Sequence, residues 1–126
     1  MKKSLTIFYL MLFVVCLLSA CTNNESIRKD FIANLTNCMK RCDDLETKYE
    51  KEYTDCMNEC WNNFEPKLDS CRNKYPHDVQ KFLECAKSVS AEYRTCIDHC
   101  NQIWTNHKKE IEKCREDCIA HTEIKQ

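Results

Sequence analysis

The apolar residues from position 31 to position 75 recur in steps of three or four, which is the spacing of one helix face. They are Phe31, Leu35, Cys38, Cys42, Leu45, Tyr49, Tyr53, Cys56, Cys60, Phe64, Leu68, Cys71 and Tyr75. The later cysteines, from Cys85 to Cys118, fall within about 60° of one another at ~100° per residue. The pattern predicts an all-α protein. A first long helix runs from about Ile27 to Lys74, the chain turns once at residues 75–78, and a second long helix returns.

Ten cysteines are spaced symmetrically about Asp78. The residue numbers add up to 156 for Cys38 with Cys118, Cys42 with Cys114, Cys56 with Cys100, Cys60 with Cys96, and Cys71 with Cys85. This symmetry predicts an antiparallel helical hairpin in which the five pairs are the rungs of a disulfide ladder. By the same rule, three further pairs are expected to face each other across the two helices: Leu45 with Ile111, Tyr49 with His107, and Tyr53 with Ile103.

A second architecture fits the same spacing. The unit Cys-x3-Cys-x13-Cys-x3-Cys begins at Cys38 and recurs 58 residues later at Cys96. It resembles the twin-CX3C helical hairpins of small mitochondrial import chaperones and of plant defence peptides. The resemblance implies four shorter helices in two consecutive hairpins, with Cys71–Cys85 between them. The disulfides of those hairpins would be Cys38–Cys60, Cys42–Cys56, Cys96–Cys118 and Cys100–Cys114.

Some local sequence features favour the four-helix arrangement and others favour the ladder. Thr47 followed by Glu50 resembles a capping box, which would begin a new helix inside the first long helix. Pro66 is expected to kink any helix that runs through it. However, residues 43–52 contain neither Gly nor Pro, and the cysteines keep their phase on both sides of this stretch. The sequence therefore favours the ladder and leaves the four-helix arrangement open.

Residues 1–20 have the layout of an export signal, with Lys2 and Lys3 followed by an apolar run. The sequence Leu18-Ser19-Ala20-Cys21 resembles the lipobox of bacterial lipoproteins, which implies that Cys21 carries fatty acid such as palmitate. Thr22 at the next position implies the outer membrane if the cell has two membranes. An ordinary secretory signal and an uncleaved anchor are the alternatives. We therefore expect a signal peptide at 1–20, a lipidated cysteine with a polar tether at 21–26, a disulfide-stapled helical domain at 27–122 and a tail at 123–126.

The number of cysteines supports this division. Removing Cys16 with the leader and assigning Cys21 to lipid leaves ten of the 12, an even number that can pair completely. From Thr22 onward, only 28 of 105 residues are apolar residues other than cysteine. Small exported domains with so little apolar surface rely on disulfides. We therefore expect all ten cysteines to be oxidised, outside the cytoplasm.

Composition narrows the chemistry. The chain has no Gly, which excludes Gly-rich phosphate loops, and its formal net charge of −1 gives no basis for binding nucleic acid. The CX3C pairs, with His99 or His121, could hold zinc, but an exported chain favours disulfides. No serine or histidine falls in a recognisable catalytic motif. We therefore expect no enzyme activity, no cofactor, no metal and no small-molecule substrate.

Five apolar residues beside the cysteine face are candidates for a partner surface: Met39, Met57, Trp61, Ile97 and Trp104. They either shield the disulfides or contact another protein. The sequence suggests a non-enzymatic envelope protein, held to the membrane through Cys21, that acts as a structural spacer or as a binding module for an unidentified protein. An inhibitor or immunity protein against a periplasmic enzyme or toxin, or a secreted cysteine-rich helical-hairpin effector, is the alternative.

Overall fold

Two antiparallel helices form a single hairpin. The structure, a computed structural model, describes the backbone of residues 2–123 and the side chains of residues 9, 11–16 and 24–122. Helix α1 spans Lys2–Lys74 and helix α2 spans Val79–Glu123. Residues 2–123 contain no strand. The predicted all-α hairpin of two long helices is confirmed.

Helix α1 begins earlier than the sequence predicted, at Lys2 rather than near Ile27. Residues 2–65 contain neither Gly nor Pro, so no residue in this stretch interrupts the helix. The polar residues 21–26, expected to form a tether, are part of α1. Helix α2 ends at Glu123, and the rest of the predicted tail lies outside the described residues.

The reversal at residues 75–78 has a local cause on each side. Tyr75 precedes Pro76, and a residue before proline is disfavoured in the α region, so α1 ends at Lys74. Asp78 caps α2, because its Oδ1 accepts a hydrogen bond from the backbone N–H of Lys81 at 3.0 Å. No residue in the described part of the chain has positive φ, so this turn is built without glycine. The predicted turn is confirmed.

Five disulfides join the helices with Cα–Cα distances of 5.7 to 5.9 Å. They are Cys38–Cys118, Cys42–Cys114, Cys56–Cys100, Cys60–Cys96 and Cys71–Cys85, which are the predicted rungs. The four-helix alternative is wrong, because Cys42 and Cys56 on one helix lie about 21 Å apart at ~1.5 Å per residue. Thr47 does not cap a helix either. Its hydroxyl donates to the Asp43 carbonyl at 3.0 Å, as in a helix interior.

The disulfides are most of the core. Among the side chains that the structure describes, the buried ones are Cys42, Tyr49, Cys60, Cys71, Cys100, Ile111 and Cys118. Five of these seven are half-cystines, since helices joined by a disulfide come too close together for large side chains at the rungs. A hairpin restrained in this way indicates an oxidising, extracytoplasmic environment.

Pro66 lies exposed inside α1 without ending the helix. Proline has no N–H, so the carbonyl of Asn62 loses its helical donor. Pro66→Ala is therefore expected to raise the free energy of unfolding by up to about 3 kcal/mol, measured by denaturant titration. Glu65→Ala, at the neighbouring exposed position, is the control and should change it by less than about 0.5 kcal/mol. A Pro66→Ala protein no more stable than its parent would contradict this expectation.

Candidate functional site

The ladder contains a local twofold axis that passes between Tyr49 and His107. Adding 58 to a residue number of α1 gives its equivalent on α2, so the rung Cys42–Cys114 corresponds to Cys100–Cys56. The cysteine repeat of the sequence is therefore a structural repeat. The twofold axis is perpendicular to the plane that contains both helices. Rotation about this axis exchanges α1 and α2 but leaves each residue on the same side of the plane. Equivalent residues of the two helices therefore lie on the same side of the hairpin.

A ring stack occupies the centre of this repeat. Tyr49 and His107 lie with ring centroids 3.6 Å apart and planes inclined by 9°, which confirms their predicted opposition. The Tyr49 hydroxyl donates a hydrogen bond to Glu110 Oε2, and His107 Nε2 lies 3.3 Å from Glu52 Oε2. Each ring thus contacts the carboxylate three residues after the other ring, as the local twofold requires.

Two polar atoms of the stack, the Tyr49 hydroxyl and His107 Nε2, find their partners within the hairpin. The hydrogen bond to Glu110 raises the pKa of Tyr49, and burial and the charges of Glu110 and Glu52 act in the same direction. His107 Nδ1 is buried and has no hydrogen-bond partner among residues 24–122. We assign the stack to packing of the two helices rather than to chemistry on a substrate.

The raised pKa of Tyr49 makes stability depend on alkaline pH. The folded protein holds the phenol proton more tightly than the unfolded chain, whose tyrosine pKa is about 10. The contribution to stability is therefore fully present below about pH 10 and is lost as pH rises through the folded-state pKa. We expect the free energy of unfolding, measured by urea titration, to fall over this range. Tyr49→Phe should reduce the slope relative to the parent; equal slopes in Tyr49→Phe and the parent would contradict the assignment.

A cluster of three aromatic rings lies on one side of the hairpin. Phe64 stacks on Tyr93 across the helices with centroids 4.5 Å apart. Trp61 lies 5.6 Å from Phe64 and meets Tyr93 edge-on at 6.1 Å. Trp61 nevertheless remains 48% exposed, so part of its ring is available for contact with another molecule.

A second aromatic pair continues the same side. Tyr53 and Trp104 lie 5.5 Å apart, and the Tyr53 hydroxyl donates to Asn101 Oδ1 at 2.9 Å. The ammonium of Lys108 lies 5.5 Å from the centroid of the Trp104 ring. Trp104 is therefore half-buried between a tyrosine and a lysine, and it both covers the hairpin and contributes to its surface.

The structure brings together four of the five predicted partner-surface residues. Trp61 and Trp104 belong to the two aromatic groups, and Met57 and Ile97 each follow a rung cysteine by one residue, as Trp61 does. Met57, Ile97 and Trp104 are half-buried. We call the combined surface the aromatic face, and define it as Tyr53, Met57, Trp61, Phe64, Tyr93, Ile97 and Trp104.

Met39 lies apart from the aromatic face. It is half-buried and precedes Met57 by 18 residues, about 27 Å along α1. An ion cluster lies between them, in which Arg115 Nη2 is 3.0 Å from Asp43 Oδ1 and 2.5 Å from Glu46 Oε2. Hydrogen bonds to these two carboxylates, first Asp43 and then Glu46, raise the pKa of Arg115. Exposed ion pairs of this kind contribute little to the free energy of unfolding. The charged side chains of the cluster separate Met39 from the aromatic face.

Tyr53, Phe64 and Tyr93 were not predicted as surface residues. They could have been found from the cysteine pairs, whose residue numbers add up to 156. The same sum places Phe64 opposite position 92, next to Tyr93. It also sets Tyr53 opposite position 103, next to Trp104. Cross-helix neighbours could therefore have been found by applying the rule to every aromatic residue and allowing one position on either side.

A groove of about 1040 Å³ lies where α1 continues past the end of α2. Its lining includes Ile27, Arg28, Phe31, Ile32, Arg41 and His121. The first lining residue, Asn24, is three positions after Cys21, whose side chain lies outside the described residues. Ile27 and Ile32 are 65% and 52% exposed. The groove thus combines apolar and basic side chains close to the predicted lipidation site.

The remaining predicted chemical groups are dispersed. Cys16 is the one unpaired residue among the described cysteines. His99 and His121, the possible additional zinc ligands, are both exposed. Within residues 24–122, no helical stretch is both long enough and apolar enough to span a bilayer.

No protein-family model matches the chain, and neither the curated proteins nor the solved structures contain a significant match to it.

Proposed function

We propose that this chain is a non-enzymatic lipoprotein of the bacterial cell envelope, in which a disulfide-braced rod holds a protein-binding face at a set distance from the membrane. The observation that carries the proposal is the ladder itself. Five cross-links hold two helices in one register, although Tyr49 and Ile111 are the only buried residues other than cysteine among residues 24–122. Such a construction provides length and stiffness without a large core.

The length of the rod follows from helix geometry. The 54 residues from Cys21 to Lys74 would extend about 80 Å at ~1.5 Å per residue. Residues 22–26 belong to the same helix, so no break in α1 separates the lipobox from the braced region. A lipid on Cys21 would therefore place the turn at residues 75–78 up to about 80 Å from the bilayer.

The aromatic face supports the binding part of the proposal. Trp61 is 48% exposed while its neighbours Phe64 and Tyr93 hold its ring in place. Tryptophan, tyrosine and methionine are enriched at protein interfaces, and a side chain that is already ordered loses less conformational entropy on binding. The face also lies near the middle of the braced region, where the rungs Cys56–Cys100 and Cys60–Cys96 hold both helices.

Lipid anchoring is tested by growing bacteria that produce the chain with labelled palmitate. The parent should carry label and sediment with membranes. Cys21→Ser should carry no label, whereas Cys16→Ser, a matched control inside the apolar leader, should keep it. Equal labelling of the parent and Cys21→Ser, or no labelling of either, would contradict lipidation at Cys21.

The binding face is tested by a photo-cross-linking amino acid placed at Trp61 or at Glu59. Glu59 lies two residues earlier, about 200° away around α1, and is also exposed. A discrete cross-linked partner at position 61 and none at position 59 would support a binding module. If no cross-link forms at either position, or if both positions cross-link equally, the aromatic face is not the binding surface. An inhibitor or immunity protein would use the same face, and the partner would then be an envelope enzyme or a toxin.

A further inference from the structure

The sulfur atoms of adjacent rungs form two compact groups. We define the outer cluster as Cys38, Cys42, Cys114 and Cys118, and the inner cluster as Cys56, Cys60, Cys96 and Cys100. In the outer cluster, the Sγ atoms of Cys42 and Cys118, which are not bonded to each other, lie 3.7 Å apart. In the inner cluster, the corresponding atoms of Cys60 and Cys100 lie 3.6 Å apart. In each cluster three sulfurs lie within 4.8 Å of one another.

These separations suit a tetrahedral metal ion. Zinc binds thiolate sulfur at about 2.3 Å, which sets the edge of a tetrahedral four-sulfur site at about 3.8 Å. The unbonded contacts already have nearly this length, so reduction would need only to move the bonded sulfurs of each cluster apart. The CX3C spacing places two sulfurs on one face of each helix, and the two helices together supply four.

We propose that the reduced chain binds two divalent cations that favour sulfur, such as Zn²⁺, with one ion in each cluster. In each cluster, two molecules of a dithiol reduce two disulfides to four thiols and leave as two disulfides. One cation then displaces four protons and is bound by four thiolates. Disulfides and metal ions are thus alternative ways of joining the same eight cysteines, and the redox state of the surroundings selects between them.

The fifth rung provides an internal control. Cys71 and Cys85 form a single disulfide, and the next rung cysteine on α1, Cys60, lies 11 residues away. These two thiols cannot complete a four-sulfur site by themselves. The structure therefore assigns two metal ions, and not three, to ten reduced cysteines. This assignment depends on the ladder alone and is independent of the proposed lipoprotein function.

The experiment uses the chain reduced with dithiothreitol, desalted under nitrogen and titrated with Co²⁺, whose absorption reports tetrahedral sulfur ligands. The parent should bind two equivalents with a tetrahedral spectrum and should gain helical circular dichroism as the sites fill, because binding and folding are coupled. Cys38→Ser/Cys42→Ser should bind one equivalent, as should Cys56→Ser/Cys60→Ser. Cys71→Ser/Cys85→Ser should still bind two, and the oxidised parent should bind none.

Several results would overturn the proposal. They are fewer than two equivalents in the reduced parent, a spectrum that is not tetrahedral, or an unchanged stoichiometry when either cluster is disrupted. Loss of an equivalent in Cys71→Ser/Cys85→Ser would also contradict it, since that pair belongs to neither cluster. Two clusters with their own variants keep the test decisive if one variant fails to fold.

Discussion

Complete reduction of the five disulfides, in the presence of a chelator, is expected to abolish the cooperative unfolding transition of the hairpin. Removing one native disulfide from a small exported domain costs roughly 2–5 kcal/mol, whereas a whole domain is stable by only about 5–15 kcal/mol. Five such losses, about 10–25 kcal/mol if they add, match or exceed this total. Between positions 24 and 122, Tyr49 and Ile111 are the buried residues other than cysteine, and they offer too little buried apolar surface to hold α1 and α2 together.

Circular dichroism during a guanidinium titration measures this effect. The oxidised chain should show a sigmoidal transition, and the reduced chain with chelator should show a gradual loss of signal from the lowest concentration. Cys71→Ser/Cys85→Ser, oxidised, is the control and should keep a sigmoidal transition because four rungs remain. A reduced chain that unfolds cooperatively near the oxidised midpoint would show that packing, and not cross-linking, holds the hairpin.

Tyr49→Ala is expected to give the largest loss of stability of any single substitution outside the cysteines, about 3–5 kcal/mol. Tyr49 is only 9% exposed, and its ring lies flat against His107. Truncation would open a cavity between the rungs Cys42–Cys114 and Cys56–Cys100 and would remove the hydrogen bond to Glu110. The helices cannot close over this cavity because the rungs on both sides fix their separation.

Denaturant titration of the oxidised protein checks this prediction against Tyr53→Ala. Tyr53 is half-buried one turn further along α1, with its hydroxyl bonded to exposed Asn101. Its loss should cost less than half as much. If the two substitutions are equally destabilising, the central stack contributes no more than an ordinary surface pair.

The disulfide register could be predicted from the sequence because cysteine imposes a strict geometric condition. A rung requires close Cα atoms, so a symmetric set of ten cysteines leaves few pairings that suit continuous helices. The reversal was equally predictable, since Pro76 ends α1 and Asp78 supplies the cap of α2. The stack of Tyr49 on His107 then followed from the same register.

Other features of the hairpin could not be predicted from the sequence. Helix α1 begins at Lys2, because an apolar leader and a polar segment without Gly or Pro have no signal that stops a helix. The contacts of Phe64 with Tyr93 depend on side-chain rotamers and on a one-residue offset from the ideal opposition. The use of the aromatic face depends on a partner molecule, and the chain carries no information about that molecule beyond the chemistry of its own surface.

Disulfide mapping of the unreduced protein by tryptic digestion and mass spectrometry tests the ladder most directly. Trypsin can cleave after Arg41, Lys113 and Arg115, which releases Cys42 on the peptide 42–48 and Cys114 on the peptide 114–115. The ladder predicts that these two peptides are joined to each other. It also predicts that the peptide carrying Cys56 and Cys60 is joined to the peptide carrying Cys96 and Cys100. A disulfide between peptide 42–48 and the peptide carrying Cys56 would contradict the hairpin and everything inferred from it.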